Sequence, residues 1–310
     1  ALDGFPFKDD LGGRFRMKVP LRGVVLDYAP AAITGDVSGS RWSPFTSLDG
    51  ELLFEGQRML IRQASGRLGG IGTGSFVLRD VEGRIEDLGA NDPVLTIGGQ
   101  GEGPLQDALS FLSTSPLSQQ LGSVLTRAQG QGRSALKIAL DIPLNRSVDT
   151  RLKGEVLMRE ADRAAVRLGG NIPLMSQVRG RVSFTESLLD VNARARVWGQ
   201  EMAIEGKRTA DGALRFNAQG SVTAESLRQA DEYPFVARLA PRLSGEAPVS
   251  VTVTQGARTS QDAPPALPEV QVSTSLRGVA SGLPAPLNKA AGASWPLKVT
   301  YRTEDADAHH

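Results

Sequence analysis

The chain has 310 residues, with 35 Lys and Arg against 34 Asp and Glu and a formal net charge of +1. That balance gives no electrostatic argument for nucleic acid or an acidic membrane surface, and the absence of cysteine excludes a disulfide scaffold, thiol catalysis and Cys-ligated metal. The length suits two average domains or one large β domain, and 35 Gly and 18 Pro with only 5% aromatic residues predict many turns and few large core anchors.

Residues 1–10 read as turn. Phe15, Met17 and Val19 then alternate with Arg14, Arg16 and Lys18, the period-two pattern of a half-buried strand. Residues 21–26 continue it beyond Pro20, and Pro30 and Gly35 punctuate residues 27–39. Leu48, Gly50, Leu52 and Phe54 share one face, opposite Asp49, Glu51 and Glu55. Glu55-Gly56-Gln57 reads as a hairpin turn from which residues 59–64 return. Beyond a glycine-rich stretch, short strands are predicted at 75–80, 84–87 and 94–98.

The period then changes. Pro104 occupies a first helical position, and Leu105, Ala108, Leu109 and Leu112 come after it at helical spacing. Ser115-Pro116 reads as a second helix start, with Leu117, Leu121, Val124 and Leu125 as its apolar stripe. Two short amphipathic helices packed on a sheet are expected here. Strands resume with the clearest alternation in the chain, Leu136, Ile138, Leu140 and Ile142 against Lys137, Ala139 and Asp141. Leu152, Gly154, Val156 and Met158 share a face, as do Ala164, Val166 and Leu168. Val178, Gly180, Val182 and Phe184 come next, then Leu189, Val191, Ala193, Ala195 and Val197. Residues 201–205 and 214–218 complete this set. Helical spacing returns at 226–230 and at Phe235, Leu239 and Leu243 behind Pro234. Val249, Val251 and Val253 alternate with Ser250, Thr252 and Thr254, residues 258–268 form a polar loop, and 271–277 and 296–301 are strands.

The chain also matches itself. Thr150-Arg151-Leu152-Lys153-Gly154 matches Thr274-Ser275-Leu276-Arg277-Gly278, and residues 50–54 match 180–184. Gln100-Gly101 and Gln219-Gly220 each precede a helical stretch. Leu109, Pro116, Leu117 and Leu121 match Leu227, Pro234, Phe235 and Leu239. The collinear order predicts a repeat of strands, a helical crossing and strands again. It divides the chain into 1–133, 134–247 and the start of a third unit at 248–308, with His309-His310 read as a tag remnant on a piece of something longer. Gly50 and Gly180 inside strands predict bends or bulges of a curved sheet.

One-sided strands have two resolutions. Two sheets can face each other as a sandwich, or one long sheet can curl into a trough whose apolar interior stays open. An open trough exposes far more apolar surface than a normal monomer carries, and so requires an apolar occupant.

Leu283-Pro284-Ala285-Pro286-Leu287-Asn288-Lys289, with Gly292 and Trp295-Pro296-Leu297 after it, resembles the central region of YhdP-like proteins, large AsmA-like proteins of Gram-negative envelopes. Residues 26–30, 48–54, 109–112 and 115–117 resemble the same family. The resemblance implies a mainly β fold with a few short helices: a repeating β-groove, one long, strongly curved antiparallel sheet with an apolar concave face. It implies part of a periplasmic protein anchored in the inner membrane by a helix outside this chain, carrying phospholipids between inner and outer membranes as bridge-like lipid transfer proteins do. It offers no catalytic motif and assigns Lys289 no role.

Other chemistry is scarce. Both histidines lie at the tag-like end, excluding His-based catalysis and metal binding in practice. Asp9-Asp10 and Glu304-Asp305 read as solvated surface. Residues 98–103 lack the Lys-Ser/Thr ending of a phosphate loop. Arg194 and Arg196 read as a wet outer face, with a lipid-headgroup contact as the sharper alternative. No apolar run nears the roughly 20 residues that span a bilayer. The expectation is therefore no enzyme, cofactor, metal or nucleic acid. Acyl chains of phospholipids would lie on Leu48, Leu52, Phe54, Leu136, Ile138, Leu140, Leu152, Val156, Val182, Phe184, Val191 and Val197. The remaining partners would be other parts of the same long chain and envelope proteins at the membranes. The rivals are a structural or scaffolding module of the envelope with a closed core and no lipid, and a carbohydrate-active or carbohydrate-binding repeat protein, which would want exposed aromatics and paired carboxylates and for which only Trp42, Trp198 and Trp295 are available as indoles.

Overall fold

The computed structural model describes residues 15–27, 43–69, 74–115, 128–146, 149–169, 172–256 and 267–302. It is mainly β, with a few short helices. The seventeen strands among the described residues belong to one antiparallel sheet that does not close into a barrel. By contact the chain divides into two compact units.

The first unit holds β1 (Arg16–Leu26), β2 (Phe45–Glu55), β3 (Arg58–Leu68), β4 (Val77–Ile85), β5 (Val94–Pro104), helix α1 (Leu105–Thr114), β7 (Arg133–Pro143) and most of β8 (Arg151–Met158). Strands β1 to β5 and then β7 pair in that order, each antiparallel to its neighbour. β1 runs through Pro20 without a break, Pro20 standing opposite Glu51. The segments predicted at 75–80 and 84–87 are one strand, β4.

A register shift interrupts each of β1 to β4, with Gly23, Ser47, Gln63 and Asp80 at positive φ beside the shifts. An extra residue in the left-handed region is the geometry of a β-bulge, which bends a strand and increases its twist. Gly50 stands at one of these shifts, between Asp49 and Glu51, where the sequence places a bend. A β-carbon there would come within 2.7 Å of the Ala64 β-carbon, so glycine also permits the close approach opposite the extra residue.

The second unit holds β6 (Gln129–Gln131), β9 (Ala164–Arg167), most of β10 (Met175–Thr185), β11 (Leu189–Val197), β12 (Gln200–Arg208), β13 (Leu214–Thr223), β14 (Leu243–Gln255), β15 (Glu269–Thr274), β16 (Val279–Ser281) and β17 (Leu297–Arg302). β11, β12, β13, β14, β15 and β17 pair in that order, all antiparallel. β6 pairs with β9, and β16 with the start of β14. Leu168 lies just beyond the end of β9.

Between β13 and β14 the chain leaves the sheet as α2 (Ala224–Leu227), α3 (Pro234–Leu239) and a 3-10 turn at Ala240–Arg242. Thr223 caps α2: its hydroxyl accepts from the Ser226 amide at 3.0 Å, and the Ser226 hydroxyl accepts from the Thr223 amide at 3.0 Å.

Helix positions depart from the sequence reading. Pro104 is the last residue of β5 and the cap of α1. α1 buries Leu105, Ala108 and Phe111, leaving Leu109 and Leu112 half-buried, because the stripe facing the sheet is set by Phe111. Asp107 is also buried there and accepts from the Ser75 amide at 3.1 Å. Phe235, expected on an apolar stripe, is 73% exposed, and Leu243 begins a strand. The predicted helix at 117–125, Trp42, Asp9-Asp10, Glu304-Asp305 and the two histidines lie outside the described residues.

Candidate functional site: the apolar faces of the sheet

Residues opposite each other in an antiparallel pair share a face, so the register assembles the apolar rows. In the first unit one row runs Val19, Leu52, Ile61, Gly83, Ile97, Leu140. The next runs Met17, Phe54, Met59, Ile85, Leu95, Ile142. Leu136 and Ile138 extend the same face opposite Gly101 and Gly99. Coverage is graded along these rows. The residues on β7 and β5 are buried, Leu52 and Phe54 are half-buried, and Met17 is exposed. Phe76 is buried over Gly101 and Gly103, whose missing side chains make room for its ring. β2 also buries Leu53 on the opposite face, level with Leu60 of β3.

The second unit differs. Its rows run Val191, Gly206, Phe216, Val253, Val270, Tyr301, then Ala193, Ile204, Ala218, Val251, Val272, Val299, then Ala195, Met202, Gly220, Val249, Thr274, Leu297. Ala193, Ala195, Met202 and Val270 are buried. Phe216, Ala218, Val249, Val251, Val253 and Val272 are half-buried, and on β17 Leu297 and Val299 are 46% and 44% exposed. A continuous strip of aliphatic side chains therefore crosses β13, β14, β15 and β17 only partly covered.

The residues predicted to line a groove divide by coverage. Leu48, Leu136, Ile138, Leu140, Leu152, Val156 and Phe184 are buried, whereas Leu52, Phe54, Val182, Val191 and Val197 are half-buried. The register joins Leu52 to Leu140 and Val191 to Phe216; Phe184 packs against Gly154, where a β-carbon would overlap its ring. The strip on β13 to β17 was legible only in the alternation of Val249, Val251 and Val253, and its remaining members come from the pairing.

An aromatic chain lies on this strip. The Tyr233 hydroxyl is 2.6 Å from that of Tyr301, and the rings meet edge to face at 6.5 Å. Tyr233 meets Trp198, in the β11–β12 turn, in the same way at 6.1 Å, and Trp198 Nε1 donates to Glu232 Oε2 at 3.2 Å. Burial, reinforced by the Tyr301 hydroxyl, holds the Tyr233 phenol well above the ordinary tyrosine range. No sequence pattern announces this contact, which joins residues 68 positions apart.

The opposite face is polar. Arg179 Nη2 and Arg194 Nη1 donate to the two carboxylate oxygens of Glu201 at 2.6 and 3.0 Å, and hold its carboxyl below the usual range. Arg194 and Arg196 are both exposed on it. Arg215, Thr254, Glu269 and Arg302 line an open polar cleft there. Among the described residues no cluster of three His, Cys, Asp or Glu side chains is placed to hold a metal, and no helix is long and apolar enough to cross a membrane.

In the signature loop Lys289 is only 5% exposed. Its ammonium donates to the Val279 carbonyl at 2.7 Å and the Ala290 carbonyl at 3.1 Å, and its backbone exchanges hydrogen bonds with Ser281.

One large open antiparallel sheet, with a polar face and an aliphatic face left partly bare, defines a class of β protein whose sheet is a surface as much as a core. The chain belongs to the YhdP family: the family model described as YhdP protein matches residues 1–309. It is 26% identical over 303 residues to the protein named "Intermembrane phospholipid transporter YhdP" from Escherichia coli (strain K12). That match covers 97% of this chain and 22% of the relative, so the chain spans about a fifth of the relative's length. No solved structure matches it.

Proposed function

We propose that this chain is a periplasmic segment of a phospholipid carrier, in which acyl chains lie along the apolar face of the sheet while headgroups stay in water. The observation that carries the reading is the partly bare apolar strip of Phe216, Ala218, Val251, Val253, Val272 and Val299 in a member of the YhdP family. The relative's name, with its phospholipid and its two membranes, supplies the ligand and the setting.

Physical chemistry supports it. A methylene fully removed from water gains about 0.8 kcal/mol, and one lying on an open face gains the share of this that its covered area sets. A strip of similar aliphatic side chains gives every position a similar affinity, which lets a chain slide rather than lodge. The ring contacts support a hollow on this side. β12 and β17 are four strand steps apart, about 19 Å along a sheet, yet two ring-to-ring steps of 6.1 and 6.5 Å lead from Trp198 to Tyr301. A helical excursion comes after a Gln-Gly strand in both units, at α1 and at α2 and α3, which supports the repeat units read from the sequence.

In this reading the half-buried residues Val191, Val197, Leu52, Phe54 and Val182 take part directly. Leu48, Leu136, Ile138, Leu140, Leu152, Val156 and Phe184 would meet lipid only if their cover moved. The buried face of the first unit is what a closed scaffolding module would also show; the half-buried strip of the second unit favours the acyl-carrying reading over such a module. Other parts of a longer chain, and envelope proteins at the membranes, would complete the path.

The test is mass spectrometry of the purified chain. Phospholipid is expected to co-purify and to be lost when Val251 and Val272 are both changed to Asp with the fold intact by circular dichroism. A chain free of lipid after gentle purification from phospholipid-containing membranes would favour the scaffold.

A further inference from the structure

We propose that residues 224–242 form a strap across the apolar strip of the second unit, latched by the hydroxyls of Tyr233 and Tyr301, and that an acyl chain reaches the strip when this latch opens. The inference rests on the acyl-carrying reading above and adds a point of control to it.

The strap leaves the sheet at Thr223 and returns at Leu243, the facing ends of β13 and β14. It lies on the aliphatic side, because Tyr301, which Tyr233 touches, shares its face with Val299, Val270 and Val253. Its large apolar residues, Leu227, Val236 and Leu239, are only half-buried, and its end is tied by the Gly282 amide donating to the Arg242 carbonyl at 2.8 Å. The strap residues that become buried are Ala224, Ser226, Ala230 and Ala240, all small. α3 buries no residue, and Phe235 beside Tyr233 stands 73% exposed. Small buried side chains remove little apolar area from water, so they contribute little to holding the segment down. The two tyrosines are therefore the large, specific link between the strap and β17. Trp198 steadies Tyr233 from the other side through its ring and through its bond to Glu232.

One net hydrogen bond between neutral hydroxyls is worth about a fivefold shift in an opening equilibrium. A strap held this way opens spontaneously and closes again. Acyl chains on the strip and the Tyr233 ring would compete for the same surface, so lipid entry and strap opening are linked.

The chain contains no cysteine, so a Tyr233→Cys, Tyr301→Cys pair can be joined by a thiol-cleavable bismaleimide without competing sites. A benzophenone amino acid at position 251, on the strip, reports lipid arrival. The probe is a vesicle of phosphatidylethanolamine and phosphatidylglycerol carrying a tail-labelled phospholipid. The expected result is a labelling rate at least tenfold lower in the joined form, recovered when the linker is cleaved. Tyr301→Phe, which keeps the ring and removes the hydroxyl, is expected to label about fivefold faster than the parent. Equal labelling rates in joined, cleaved and Tyr301→Phe chains would overturn the latch while leaving acyl binding standing. Absence of labelling in every form, the cleaved one included, would overturn the acyl-carrying reading and the latch with it.

Discussion

Lys289 shows how a single side chain sets local order. A buried ammonium is costly unless it is hydrogen-bonded, and the carbonyls of Val279 and Ala290 take that part. The bonds tie the signature loop to β16, which in turn pairs with the start of β14. Lys289→Met keeps the aliphatic stem and removes the donors. It is expected to lower stability by about 1–3 kcal/mol, read as an earlier urea midpoint, with faster amide exchange at Ser281 and Gly282. An unchanged midpoint would mean that the loop is held by its backbone alone. In the sequence this lysine was visible only as a member of a resemblance, since nothing local marks a lysine for burial.

At the scale of elements, glycines set how closely strands and rings approach. Gly154 of β8 faces the Phe184 ring, and a methyl group there would overlap it. Gly154→Ala is expected to cost about 1–3 kcal/mol through overpacking. Phe184→Leu in the same chain should return part of that loss, and a double-mutant cycle of thermal unfolding measures the coupling. Additive effects would place the ring elsewhere. The bulges belong to this scale too. Ser47, Gln63 and Asp80 hold a backbone region in which side chains other than glycine are uncommon, and they bend consecutive strands of the first unit. Sequence patterning gave the strands and, through Gly50, one place where the register shifts, but not the left-handed residues Ser47, Gln63 and Asp80, because an inserted residue leaves the alternation on either side intact and merely shifts its phase.

For the whole molecule, coverage decides what a given apolar residue does. Ile138 is 8% exposed while Val251 is half-buried, although both sit in equally regular alternations. Ile138→Asp puts a carboxylate into a sealed place and is expected to unfold the first unit, with a loss of about 3 kcal/mol or more. Val251→Asp, with water within reach, is expected to cost less than about 1 kcal/mol and to abolish phospholipid retention. Limited proteolysis and lipid mass spectrometry on the two variants separate these outcomes; unfolding by both would mean that the strip is a core.

The amino-acid sequence by itself determined the β class, the aliphatic side of the clearest strands, the described helical excursions to within a few residues, and the nearly balanced charge and lack of cysteine of the chain. Those properties come from period, proline and glycine, which act over a few neighbours. Tertiary structure alone decided which apolar rows are covered, which residues other than glycine form the bulges, and that Tyr233 meets Tyr301. The physical reason is range. Alternation fixes the side of a strand a residue occupies, but the cover above that side is settled by segments far away in the chain, through pairings that leave no local trace.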